Sequence, residues 1–335
     1  MKINKVRVYF LTSSLVLFSF IGCGPKHTYL SGTLTKAVES ILIDEQDLTA
    51  EAQVAGKTLG AVLYLDTLID PSGQVPKEVH EKMGQVMQAV TRVALSTDQP
   101  IDFLQVFIRD LKQGNELIVT RSMDDTRRAN AEALGVEESI NRTVFTQGHY
   151  ESKPGTPKAH LDPGQGEPEV DLVPGIPEFH LKEVTLEAFL ADQIAQRIRF
   201  SFAKDSQEAA ENPLVLADGS VHESPDGLRH FYFSMIGFKS KEASSNISGM
   251  LKIVNDVFGG YEFTGYATVE LRDYLNRQKL VVERQVLEDF RNKKITEKEI
   301  LDRYLTESQS VQEAFKLFGF NLPQEATQKE PAIAK

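Results

Sequence analysis

Cysteine is nearly missing from this chain: Cys23 is the only one in 335 residues. No internal disulfide can form, so stability has to come from packed cores. Tryptophan is absent altogether, which removes one common interface anchor. Basic charge is also in short supply, with 37 Lys and Arg against 48 Asp and Glu and a formal charge of −11. That balance argues against nucleic acid, which wants a basic face, and against an electrostatic grip on anionic lipid. The uncharged stretch from Val8 to Gly22 is short of the roughly 20 residues that cross a bilayer comfortably.

What is present begins with an address. Lys2, Lys5 and Arg7 precede an uncharged stretch rich in Leu, Val, Phe and Ile, and a small residue follows. This is the layout of a secretory signal peptide over residues 1–22, with an uncleaved anchor as the alternative. The stretch closes on Phe20-Ile21-Gly22-Cys23, which resembles the lipobox of bacterial lipoproteins. Gly22 and Cys23 match its strict positions, and Phe20 stands where Leu is usual. The resemblance implies acylation of Cys23, which also explains an unpaired exported cysteine. Each buried methylene adds about 0.8 kcal/mol to membrane binding, and stable anchoring takes two chains or more. Gly24 follows where Asp would imply inner-membrane retention, so the resemblance implies the outer membrane of the cell envelope. Losing Lys2, Lys5 and Arg7 with the leader takes the net charge to −14.

Apolar residues at 41% and charged residues at 25% are ordinary for a globular protein. A mature chain of about 300 residues suits two domains. Past a tether (23–32), Leu34, Val38, Ile41 and Leu42 share a helical face. Alternating strands flank a Gly56-Lys57 turn. Val79, Met83, Val86, Val90 and Ala94 make an amphipathic stripe behind Pro76. Two strands follow, Ile101 to Arg109 and Glu116 to Arg121, the first apolar on both faces as a central strand should be. Ser122 with Asp125 predicts a capped helix ending near Gly135.

Prolines and glycines crowd residues 146–180, which predicts a linker between a first domain (33–145) and a second (181–321). The second opens with a helix near Leu186. A three-strand meander is expected to turn at Asp218-Gly219 and again at Pro225-Asp226-Gly227. A helix carrying Ile247, Leu251, Val254 and Phe258 then stops at Gly259-Gly260. Alternation from Tyr261 to Leu271 predicts a strand with Tyr266 on its outer face. A helical C-terminal segment carries capping boxes at Thr296/Glu299 and Ser310/Glu313, and a polar tail (322–335) is expected to be disordered. The expected class is α+β: two small antiparallel-sheet domains with helices packed on the sheets. Comparison of the halves shows no repeat at the residue level.

Candidate chemistry is thin. Gly56-Lys57-Thr58 lacks the first glycine of a phosphate loop, since position 51 is Glu51. His80-Glu81 lacks a second His at 84, where Gly84 stands. Ser201 to Lys204 spells the four-residue pattern of penicillin-binding proteins, but at the end of a helix and without a Lys-Thr-Gly partner. His222, Glu223 and His230 flank one turn and are the weak candidate metal ligands. Arg109, Arg121, Arg127 and Arg128, with Tyr266, form a possible contact patch, with a solvated ion-pair network as the plainer account. No catalytic set and no cofactor site is read. The expected function is a membrane-anchored, non-enzymatic adaptor for another envelope protein. A carrier or chaperone of an apolar ligand is the alternative, and a metal-dependent hydrolase comes third.

Overall fold

The computed structural model describes residues 27–70, 72–150, 179–205, 215–237 and 244–307. The leader, Cys23, the body of the expected linker, the Ser310/Glu313 box and the polar tail lie outside the described residues. No described helix is long and apolar enough to cross a membrane.

The class is α+β: two five-stranded sheets, each with helices packed on it. The first half runs α1 (Leu34–Gln46), β1 (Ala50–Ala55), β2 (Thr58–Leu65), α2 (Lys77–Leu95), β3 (Phe103–Asp110), β4 (Asn115–Ser122), α3 (Met123–Asn130), α4 (Val136–Asn141) and β5 (Val144–His149). The second runs α5 (Leu186–Asp205), β6 (Leu216–Glu223), β7 (Arg229–Ile236), α6 (Ser245–Gly260), β8 (Thr268–Asp273), β9 (Gln278–Glu283), α7 (Arg284–Arg291), α8 (Glu297–Tyr304) and β10 (Leu305–Glu307). The order of helices and strands is the same in both. Strand order is the same too, β1-β2-β3-β4-β5 and β6-β7-β8-β9-β10.

Both sheets are mixed, where antiparallel sheets were expected. β2 and β3 pair in parallel, as do β7 and β8, while β1–β2, β3–β4, β6–β7, β8–β9 and β9–β10 pair antiparallel. The reason is the connection. A long helix, α2 or α6, carries the chain back to the starting end of the sheet, so the next strand lies parallel.

The repeat hidden in the sequence shows once the sheets are superimposed in register. Ile108-Arg109-Asp110 ends β3, and Leu271-Arg272-Asp273 ends β8. Four residues past each Asp the backbone takes positive φ, at Gly114 (73°) and Arg277 (53°). Buried Leu117 and Val119 then match buried Leu280 and Val282.

The compact units divide the chain differently from the sequence reading. Among the described residues, one unit holds those up to Ala131 and those within Gln147–Glu183, and the other holds Glu132–Thr146 and those from Val184 on. Residues 132–146 join the second unit because they are bonded to α5. Gln193 donates to the Arg142 carbonyl at 2.9 Å, Gln196 to the Thr143 carbonyl at 2.7 Å, and Arg197 reaches Glu138 at 2.9 Å.

In the first unit α1 and α2 bury Leu34, Val38, Leu42, Val86, Val90 and Val93 where they pack on the sheet. Each such side chain contributes about 1.5–3 kcal/mol. The second unit has an aromatic centre. Phe231 meets Phe258 edge-on at 5.0 Å, and Phe263 and Tyr266 pack beside both. Here the strand expected from Tyr261 begins only at Thr268. Helix α6 runs through both glycines to Gly260, and the chain then turns at Glu262 (φ 51°) to fold Phe263 and Tyr266 back on Phe258. The expected turn at Asp218-Gly219 is likewise unbroken strand. Gly219 is needed for closeness, because a Cβ there would run into the carbonyl of Ala191 on α5. The expected helical C-terminal segment contains a strand, β9, before α7 and α8, and Thr296 and Glu299 do form a capping box.

Candidate functional site: the second face of each sheet

Strand alternation gives each sheet a second face, turned away from the Leu59–Ala61–Leu63 side in the first unit and from the Phe231–Phe233 side in the second. In the first unit this face carries Val62, Phe107, Arg109, Glu116 and Ile118, neighbours in register. An extended segment, residues 179–183, covers it. Phe179 is fully buried and meets Phe107 edge-on at 5.1 Å. The Arg109 guanidinium sits 5.6 Å from the Phe179 ring and 5.1 Å from Tyr150, while its Nε pairs with Glu116.

The backbone of the covering segment is held by side chains. The Gln53 amide donates to the Phe179 carbonyl, and its oxygen accepts from the Leu181 N–H at 2.9 Å. Farther on, Glu183 accepts from the Lys57 N–H at 3.0 Å. Gly60 leaves room for Leu181, whose Cδ1 would lie 2.7 Å from any Cβ there.

The same face of the second sheet carries Ser220 and His222 on β6, Tyr232 and Ser234 on β7, Glu270 and Arg272 on β8, and Lys279 and Val281 on β9. Register places Tyr232 where Val62 stands, Glu270 where Phe107 stands, Arg272 where Arg109 stands and His222 where Gln53 stands. The buried Glu270 pairs with Arg272 and, at 3.0 Å, with Lys279. Burial works against the Arg272 charge, but hydrogen bonds to Glu270 and Tyr274 outweigh it and the pKa moves upward. His222 meets the Tyr232 ring edge-on at 5.2 Å. Tyr232, Arg272, Tyr274, Ser234 and Asp218 border a recess of about 180 Å³. No described segment hydrogen-bonds across this face, and Val281 is 37% exposed.

Other residues singled out in the sequence are dispersed. His222 and His230 are direct cross-strand partners, but Glu223 points to the other side, toward Arg229 at 3.8 Å. His230 bonds Thr268 at 2.8 Å instead. Among the described residues no three His, Cys, Asp or Glu side chains gather as metal ligands. The arginines do not make one patch. Arg109 lies under Phe179, Arg121 is on the opposite side of the sheet with burial lowering its pKa and Asp125 opposing, and Arg127 and Arg128 are on α3. Tyr266 is not a surface residue at all: it is 5% exposed, and burial pushes its phenol up to about 12.

Sequence reasoning missed Gln53, Phe179, Tyr232 and Arg272. The signal that leads to them is the paired Ile/Leu-Arg-Asp, whose arginines mark the same spot on both faces.

No protein-family model matches this chain, and no curated protein does. Among solved structures it is similar to the sex pheromone staph-cAM373 precursor, at 10% identity over 74% of this chain and 77% of that one, with a TM-score of 0.18. A similarity that weak carries nothing about fold or function.

Proposed function

We propose that this protein is a cell-envelope lipoprotein, anchored through lipid on Cys23 and sorted to the outer membrane, that binds a partner protein and catalyses no reaction. The leader supports the address: a basic start, a short apolar core and Gly22-Cys23. The observation that carries the binding role is the second sheet's face that no described segment crosses, with Tyr232, His222 and Arg272 presented where the first unit has already buried a segment of polypeptide. Recess size favours a partner protein over a small-molecule carrier. The recess beside Tyr232 and Arg272 holds about 180 Å³ and one beside Leu68 and Leu117 about 220 Å³, whereas sites for small molecules begin at roughly 300 Å³.

In-cell crosslinking with mass spectrometry on the lipidated protein tests this, with Cys23→Ala as control. A discrete envelope partner is expected, disappearing together with membrane retention in the variant. Absence of any partner, with a small molecule co-purifying, would instead establish the carrier.

A further inference from the structure

We infer that the face of the second sheet left uncrossed among the described residues receives an extended segment of the partner protein, with an aromatic side chain seated in the recess beside Tyr232 and Arg272. This rests on the adaptor reading and specifies its contact.

The first unit shows what this face does. There the sheet is crossed by residues 179–183, whose aromatic ring lies against the Arg109 guanidinium and whose backbone carbonyl and N–H are both taken by one side chain, Gln53. The second unit repeats the elements, the strand order and the arginine. Arg272 is held from below by Glu270, which fixes its plane and leaves about a third of the side chain exposed. A guanidinium presented in this way is attracted to the face of an aromatic ring. Tyr232 and Tyr274 supply side walls, and the space of about 180 Å³ suits one aromatic side chain. Val281, where Ile118 stands in the first unit, offers an exposed apolar contact next to it.

His222 occupies the place of Gln53. Its Nε2 faces Ser220 Oγ at 3.4 Å, and the other ring nitrogen can bond one backbone group of a peptide laid across the face. Charge separates this occupant from others. Glu270 and Asp218 balance Arg272 and Lys279, leaving no net positive field for a phosphate-bearing polymer or a lipid headgroup. The expected segment is uncharged around its aromatic residue. Glu270 replaces Phe107 at the floor, so the flanking residues should be more polar than Phe179 and Leu181.

The test places p-benzoylphenylalanine at Val281, and separately at the exposed Ile43 on α1, in the full lipidated chain in its own envelope. Adducts from position 281 are expected on one short stretch of one partner, containing an aromatic residue. A synthetic peptide of that stretch should bind the purified chain, at least ten-fold more weakly with Arg272→Ala and with Tyr232→Ala, while circular dichroism confirms both variants fold. Adducts scattered without a common stretch, or a peptide indifferent to both variants, would overturn the inference. So would adducts on lipid, on a second copy or on residues 308–335 of this chain. A partner caught from position 43 but never from 281 overturns the site and leaves the adaptor standing. No partner from either position removes both.

Discussion

Asp110 and Asp273 do the same work in the two units. Each ends the third strand of its sheet, each is fully buried, and each carboxylate holds the turn that follows. Asp110 accepts from the backbone N–H of Lys112 at 2.7 Å, Gln113 at 2.8 Å and, across the unit, Leu68 at 3.1 Å. Asp273 accepts from the Asn276 N–H at 3.1 Å and from the side-chain amides of Asn276 at 2.6 Å and Asn246 at 2.7 Å. Each ties the arginine-bearing strand end to the connection leaving the neighbouring parallel strand.

Asp110→Ala and Asp273→Ala should therefore each cost about 3 kcal/mol or more, since several donors lose a charged acceptor at once. Urea denaturation measures this. A loss below about 1 kcal/mol for either would show that water substitutes for the carboxylate.

Phe179→Ala should destabilise the first unit by about 3–5 kcal/mol, the usual range for emptying a buried aromatic site. Gln53→Ala should cost about 1–3 kcal/mol through the two backbone groups it leaves. Denaturation of the pair and of the double variant gives their coupling, which is expected to be positive because both hold one segment. Strict additivity would mean that residues 179–183 do not act as a single strap.

Two glycines should respond in opposite directions. Gly219→Ala forces α5 away from β6 and should cost about 2 kcal/mol. Gly84→Ala lies on an exposed stretch of α2 with nothing within 4 Å of the new methyl, and should stabilise by about 1 kcal/mol through helix propensity. Thermal melts of the two variants settle both signs.

Tyr266 sets an alkaline limit. Its folded pKa of about 12 lies above the value of 10.0 for an exposed tyrosine. Below pH 10 the phenol is neutral in both states and the stability is complete. Between pH 10 and 12 the unfolded chain releases the proton and the folded one does not, so on the order of 3 kcal/mol is lost as pH rises. The hydroxyl has no hydrogen-bond partner among the described residues, so Tyr266→Phe should keep or slightly raise stability at pH 7. It should also flatten the decline above pH 10. A steeper alkaline decline in the variant would contradict this account.

Local signals were legible because local physics produced them. The stripe from Val79 to Ala94 became α2, the Gly56 turn with φ 54° became the β1–β2 hairpin, and Thr296 with Glu299 capped α8. Misreadings came where a residue answered to something distant in the chain. Gly219 resembled a turn glycine beside Asp218, yet its missing side chain makes room for Ala191. Tyr266 alternated like an outward strand residue, yet the turn at Glu262 brought it onto Phe258. Nothing local to Phe179 shows that it will lie on Phe107, because the two are far apart in sequence.

The sequence by itself determined the leader pattern ending at Cys23, the α+β class, the amphipathic helices and the absence of a disulfide framework, since each depends on composition or on spacing within a few residues. Only the tertiary structure decided that the chain holds the same arrangement twice, with a parallel pair at the centre of each sheet. It alone decided that the arginine-bearing face of the first sheet is covered by residues 179–183, while no described segment crosses its counterpart. Strand pairing and face burial are set by contacts between residues tens of positions apart, and those contacts preserve register and volume while leaving the two halves free to differ at nearly every side chain.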